Sequence, residues 1–416
     1  METLIKEAER ELKPVFERIE EIEYANQARV LSAFGQERVA LRHFAPTSGY
    51  GYDDVGRDTL DRVFARALQA EDALVRPQLT SGTQAIFTAL SGLLEPGETL
   101  LSVTGKPYDT LETAIGITGD AYGSLKRQGV LYKQVELKNG ALDAQSAVAA
   151  LDASVRVLYF QRSRGYAWRN AIAPEAMREA FQRLRMAAPQ AIIVVDNCYG
   201  EFVCAHEPTA VGADVIIGSL IKNPGGGIAP TGGYIAGQAK YIERIANRLT
   251  VPGMGREVGS YAGSYAPFYQ GLFLAPHVVA QAVKTAALFA RVFEKAGMTS
   301  MPASDAVRAD IVQALRFDSA EALCAFCRSI QAVSPVDSFL VPEPWDMPGY
   351  NDQVVMAAGA FVQGSSIELS ADGPLCAPYT AYIQGGLTYA HGRIAAGEAL
   401  RELAKSGAIN IDGTAR

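Results

Sequence analysis

The sequence predicts an α/β fold built on a mainly parallel sheet. Three observations carry this. Between residues 59 and 250, short apolar runs rich in β-branched residues alternate with helical patterns, which is the chain order of strand–helix–strand units. The runs are apolar at nearly every position, as in "VRVLYF", "AIIVVDN" and "ADVIIGS", so these strands are expected to be covered on both faces. Beyond about residue 300 shorter strands mix with helices, which predicts a smaller α+β domain.

The elements follow in order. Residues 2–38 read as helix, because Leu4, Ala8, Leu12, Val15, Ile19 and Ile22 recur at three- and four-residue steps. Pro14 should break or restart it. "APTSGYGYDDVGRD" (45–58) is glycine- and tyrosine-rich loop. "DTLDRVFARAL" and "SGTQAIFTALSGLL" read as helices, "TLLSV" and "LYKQVEL" as strands. "PEAMREAFQRLRM" is a helix with Pro174 in its first turn. Residues 266–297 return to helix. In the last part "DIVQALRF" and "FVQGSSIEL" read as strands, "SAEALCAFCRSIQA" and "GRIAAGEALRELAK" as helices. The expected division is an N-terminal helical arm (1–45), a large domain (46–290) and a small C-terminal domain (291–416).

Composition excludes several classes. A net charge of -7 argues against general nucleic-acid or anionic-membrane binding. The charged start "METLIKEAERELKPVFERIEE" lacks the apolar core of a signal peptide. The longest apolar candidate, "GLFLAPHVVAQAVKTAALFA", is interrupted by proline, histidine, glutamine and lysine, so no membrane span is expected. Five irregularly spaced cysteines are no disulfide framework; a cytoplasmic setting is expected. "CAFC" (324–327) reads as buried helical thiols, since neither a second pair nor suitably spaced histidines accompany it. No metal is expected.

In an open α/β sheet, ligands gather beyond the carboxyl ends of the strands. Three signals fall there. "LTSGTQAI" puts Ser81, Gly82 and Thr83 at a helix start, where free N–H groups favour an anion such as phosphate; an ordinary N-cap would look the same. Asp196 closes the strand "IIVVD", as a loop partner or as a buried acid for a cationic ring nitrogen. Lys222 follows "ADVIIGS" and precedes "NPGGG". Its ordinary fate is to reach solvent. Desolvated beside another cation, it would have a lowered pKa and could attack a carbonyl. The glycines would let the backbone pass close to a bulky ligand.

An anion-binding helix start, an aromatic at Tyr108, then Asp196, Ser219 and Lys222 is the layout of a pyridoxal-phosphate site. The chain here resembles the fold-type-I pyridoxal-phosphate enzymes of cysteine and methionine metabolism, and within them the methionine gamma-lyase-like proteins linked to aluminium resistance. "SGYGYDDVGRDTL", "VRPQLTSGTQAI", "QRSRGY", "VVDNCYGEF", "GSLIKNPGGGIAPTGGYIAG", "QGSSIELSADGP" and "YIQGGLTYAH" carry the resemblance. It implies a seven-stranded aminotransferase-like sheet with helices on both faces. It implies pyridoxal 5'-phosphate held by Ser81, Gly82, Thr83 and Ser219, stacked on Tyr108, paired at the ring nitrogen by Asp196 and anchored on Lys222. It also implies that Tyr52 and Arg57 reach a neighbouring subunit's phosphate, in a homodimer or a tetramer built from dimers. Arg164, in "YFQRSRGYAWR" with Arg162 and Arg169, is the candidate for a substrate carboxylate. Cys376 stands where the resemblance leads one to expect a basic residue.

The expected activity is carbon–sulfur lyase chemistry, by β- or γ-elimination, on a sulfur-containing amino acid such as methionine, cystathionine or cysteine. Lys222 would be the base and Tyr108 would assist at the leaving group. Transamination and aldol cleavage fit the same scaffold, as does a cofactor-binding protein of low activity linked to metal stress.

Overall fold

The computed structural model describes residues 1–347 and 352–409. The arm is two helices, α1 (Glu2–Glu11) and α2 (Lys13–Gln36), with Pro14 in the first turn of the second. The restart at proline is as expected. The loop that follows leads into α3 (Val55–Ala67), capped by Asp54, whose carboxylate accepts from Arg57 N.

The large sheet contains β1 (Asp72–Arg76), then after α4 (Gly82–Leu93) the strand β2 (Thr99–Ser102), and after α5 (Asp109–Ile115) the strand β3 (Leu131–Gln134). Helix α6 (Ala144–Ala149) precedes β4 (Val155–Gln161), and α7 (Pro174–Ala187) precedes β5 (Ile192–Asp196). Next come β6 (Val215–Ser219), β7 (Gly233–Gly237) and α8 (Ala239–Leu249). The spatial order is β1-β7-β6-β5-β4-β2-β3, and β7 alone runs against the rest.

Alternation along the strands sorts the core into two layers. Val157, Tyr159, Ile192, Val194, Val215 and Ile217 face α4 and α8. Leu158, Phe160, Ile193, Val195 and Ile216 face the larger layer, which contains α3, α7 and α9 (Ala266–Lys295). This places Asp196 and Ser219, in phase with the first set, on the α4 side.

Helix α9 is long and apolar enough to cross a membrane by composition, but 72% of that stretch is buried inside the protein. The arm lies along it: Glu11 pairs with Arg291 and Lys295, Glu20 with Lys284, and Glu23 with His277.

The second sheet runs β10-β11-β12-β9-β8 and is antiparallel throughout. Its members are β8 (Ser300–Met301), β9 (Val312–Arg316), β10 (Val354–Ala357), β11 (Ser370–Pro374) and β12 (Thr380–Gln384), flanked by α10 (Ala320–Ala332) and α11 (Tyr389–Lys405). The expected strand "FVQGSSIEL" is instead a loop. Gly364 takes φ +80, and the Glu368 carboxylate accepts from Phe361 N and Val362 N, folding the segment onto itself. Cys324 and Cys327 are free buried thiols on α10, as read from the sequence.

Candidate active site

Four element ends meet on the α4 side of the sheet. Ser81 caps α4 through its hydroxyl, which accepts from Gln84 N at 3.0 Å. Ser81 Oγ is the acceptor there and its own O–H donates to no acceptor among the described residues; nor do the N–H groups of Gly82 and Thr83. Gly82 is held close to the neighbouring strands: a methyl group there would lie 3.4 Å from Cys198 Sγ and 3.4 Å from the Ser219 side chain. The phosphate-type cradle and the end of β6 are therefore adjacent.

Tyr108 precedes α5 and gives its hydroxyl to Thr83 Oγ1 at 3.0 Å; its own N–H donates to Gln161 Oε1 at 2.9 Å. Burial first, then the charge of Asp196, raises the Tyr108 pKa, so the phenol stays protonated.

Asp196 is 3% exposed. Its carboxylate accepts from Cys198 N at 3.1 Å and from the Tyr159 hydroxyl at 3.4 Å. Burial raises its pKa, opposed by the Lys222 charge, Cys198 and Tyr159. Lys222 sits with Nζ 4.0 Å above the Tyr199 ring. Neither Lys222 nor Asp196 makes a salt bridge among the described residues, although each feels the other's charge. An acid and an amine at neighbouring strand ends thus face a shared space without closing on each other.

Two expectations change here. The lysine was expected to have a lowered pKa. Burial does oppose its charge, but Cys198, Tyr199, Asp196 and Tyr108 outweigh burial, and its pKa stands above the ordinary value. The glycines after it were expected to admit a ligand. They admit protein instead: a methyl at Gly225 would lie 1.7 Å from Leu220 O, one at Gly226 would lie 2.4 Å from Gly271 O on α9, and one at Gly227 would lie 2.4 Å from Leu387. The Lys222 turn is pressed, backbone to backbone, onto α9.

Sequence reasoning missed Glu201, which lies under the site. It is fully buried, accepts from Tyr234 OH at 2.9 Å, and has Oε2 without a partner among the described residues. Burial pushes its pKa up to about 8. Its position two residues past Tyr199 offers no motif.

The other named residues lie further out. Arg57 is buried and occupied by Gly51 O and Asp58 of its own chain, while Tyr52 is 59% exposed beside Tyr50. Arg162 is spent on Asn197, Ile172 O and Cys204. Arg164 donates to Met301 O at 2.6 Å, and Arg169 donates to Ser163 O at 2.6 Å. The Cys376 thiol, on the turn after β11, is raised in pKa by burial and by Asp352. A cleft of about 500 Å³ opens at the opposite end of the sheet. Its central carboxylate, Asp214, is already taken by Arg185, Ile193 N and Gln238.

The methionine gamma-lyase family matches residues 1–404. The chain belongs to that family. Protein YnbB of Bacillus subtilis is 50% identical over 387 residues, 92% of each chain. The structure of a carbon-sulfur lyase involved in aluminum resistance from Clostridium novyi superposes with a TM-score of 0.93 at 49% identity, covering 96% of this chain and 95% of that one. The pyridoxal-5'-phosphate-dependent protein YhfS from Escherichia coli shares the fold alone, at 18% identity and a TM-score of 0.64. The seven-stranded architecture is thus the fold of the fold-type-I pyridoxal-phosphate enzymes. The residues present fit the cofactor: free N–H groups for a phosphate, an enclosed acid for a ring nitrogen and an amine for an aldehyde.

Proposed function

We propose that this protein is a pyridoxal-phosphate-dependent lyase that cleaves a carbon–sulfur bond in a sulfur-containing amino acid. The observation that carries the reading is the unclosed pair of Asp196 and Lys222 facing the open N–H groups of α4. Gly82, Thr83 and Ser219 would hold the phosphate, Tyr108 the ring face, Asp196 the ring nitrogen and Lys222 the aldehyde. The cofactor, when bound, supplies an electron sink for charge developing at the substrate's α-carbon.

The chain's own groups do the rest. Asp196, held by Cys198 N and Tyr159, keeps negative charge where a protonated ring needs it. Lys222 Nζ would take the proton from the substrate's Cα. Tyr108, protonated and bonded to Thr83, donates at the departing sulfur. The assembly is read as a homo-oligomer in which Tyr52, exposed on its loop, completes a neighbouring site. Arg57, turned inward, shapes that loop.

The test is a spectrum. Wild-type protein given pyridoxal phosphate should show a visible cofactor band that borohydride quenches, and Lys222→Ala should lack it. Release of thiol and keto acid from methionine, cystathionine or cysteine then identifies the lyase. Keto-acid-dependent conversion without thiol identifies a transaminase instead, and a folded wild type with no band sinks the reading.

A further inference from the structure

The turn that carries Lys222 rests on a pocket with more acceptors than donors. Glu201 and Asn223 are both fully buried. Asn223, the residue after Lys222, gives Nδ2 to the backbone carbonyl of Glu201 at 3.0 Å. Its Oδ1, on the other arm of the amide, has no partner among the described residues. Glu201 receives the Tyr234 hydroxyl on Oε1 at 2.9 Å, and its Oε2 has no partner among the described residues either. Two residues already joined by one bond thus each hold an orphan oxygen. Unmet buried acceptors are costly, and two acceptors satisfy each other only when one of them carries a proton.

The loop is shaped to hold Glu201 there. Tyr199 and Phe202, on either side of it, take φ +71 and +62, the left-handed region that residues with a side chain seldom adopt. Phe202 is tied by its N–H to Glu207 and by its carbonyl to Asn26. Strand β6 makes room for the carboxyl group: a methyl at Gly218 would lie 2.4 Å from Glu201 Oε1. Tyr199 is also the ring under Lys222 Nζ, so one strained loop reaches both the amine and its turn.

The pocket holds two acids with unequal surroundings. Glu207 receives Phe202 N and Asn197 Nδ2, both at 2.9 Å, with Arg162 Nη1 at 3.8 Å. Glu201 has the Tyr234 phenol and its own N–H. The other titratable groups that it faces are Lys222, whose charge favours ionisation, and Cys198. Of the two acids, Glu201 is the one placed to stay neutral. Burial, with the charge of Glu207 added, outweighs the groups that favour ionisation and pushes its pKa up to about 8.

We propose that Glu201 keeps its proton and donates it from Oε2 to Asn223 Oδ1, which makes Glu201 a positioning residue that locks the Lys222 turn. This rests on the reading of Lys222 as the cofactor's anchor. Two bonds then join the residues, Asn223 Nδ2 to Glu201 O and Glu201 Oε2 to Asn223 Oδ1. When the proton leaves to solvent, a carboxylate faces an amide oxygen, the second bond is lost, and the turn is no longer held in register with the site.

The test compares the wild type with Glu201→Gln, whose amide puts an N–H where the acid has its O–H and cannot ionise. Affinity for pyridoxal phosphate is titrated by absorbance at pH 7 and pH 9. Any proton lost by Lys222 is common to both proteins and cancels in the ratio. The two should bind within about twofold at pH 7. At pH 9, where about a tenth of Glu201 keeps its proton, the wild type should bind about tenfold more weakly than the variant. Glu201→Leu, with neither donor nor acceptor, should bind weakly at both pH values. In an Asn223→Ala background the Glu201→Gln exchange should change nothing at pH 9. A ratio that stays constant from pH 7 to pH 9 would overturn the proposal, and so would a pH 9 difference that survives Asn223→Ala. If Asn223→Ala fails to fold, the ratio at the two pH values decides. If the wild type forms no cofactor band, the lyase reading falls separately, and the same four proteins are compared by melting: the pH 9 gap between wild type and Glu201→Gln must vanish with Asn223→Ala, and its persistence would remove this proposal too.

Discussion

At Asp196 a carboxylate is enclosed with Cys198, through its N–H, and a long contact from the Tyr159 hydroxyl. Its ionised form is therefore costly, and burial raises its pKa accordingly. Asp196→Asn removes the cost and the function together. We expect the variant to melt no lower than the wild type while losing about a hundredfold or more in turnover; a stability loss that parallels the activity loss would make Asp196 merely structural. Lys222 makes the complementary case. Because the pKa of the Lys222 amine stands above its ordinary value, bonding to an aldehyde would require loss of a proton first. Cofactor uptake followed by absorbance should accelerate as pH rises from 6 to 9, and a rate independent of pH would refute this order of events.

At the scale of elements, the turn after β6 is held by contact rather than by sequence preference. Gly271 on α9 meets Gly225 O so closely that a methyl group would lie 2.3 Å away. Gly271→Ala must push the helix off the turn. We expect a loss of about 3 kcal/mol in urea unfolding, together with a fall in cofactor affinity, because the displaced turn carries Lys222. The same scale explains what was legible. Strands β4 to β6 announce themselves because both faces are buried, and the residues that end them, Asp196 and Ser219, were legible with them. Strands β1 ("DALVR"), β7 ("GYIAG") and β11 ("SADGP") do not. Glycine, aspartate and proline are poor strand formers, and these segments are strands only because neighbours pair with them. The reach of the Gly225–Gly227 run was misread for a related reason: a sequence shows that a backbone approaches something closely, not what it approaches. Glu201, Cys198 and Tyr159 gather around Lys222 and Asp196 through the crossing of β4, β5 and their loops, which no local pattern records.

For the whole molecule, two measurements bear on assembly and on pH. If Tyr52 is lent across an interface, Tyr52→Ala and Lys222→Ala are each inactive alone, and refolding them together in equal amounts restores roughly a quarter of wild-type activity, because half the dimers are mixed and each holds one intact site. No recovery would place Tyr52 outside the neighbour's site. Glu201 makes stability depend on pH. Its folded pKa, about 8, exceeds the ordinary carboxylate value because of burial, so the folded state binds a proton that the unfolded chain releases above pH 5. The stabilisation is full below the unfolded value and is lost as pH rises through 8. Melting temperature should fall from pH 5 to 8.5, and Glu201→Gln, which cannot ionise, should flatten that slope.

Helix α9 touches the Lys222 turn at Gly271 and the small domain at Phe289, whose ring packs on Phe326 of α10. The two positions lie eighteen residues apart, five whole turns at 3.6 residues each, and so share one face. Inserting or deleting one residue between them would swing one contact about 100° away from the other. The length of this helix is therefore fixed by phase, and chains that keep both contacts can lengthen it there only by amounts that restore the face.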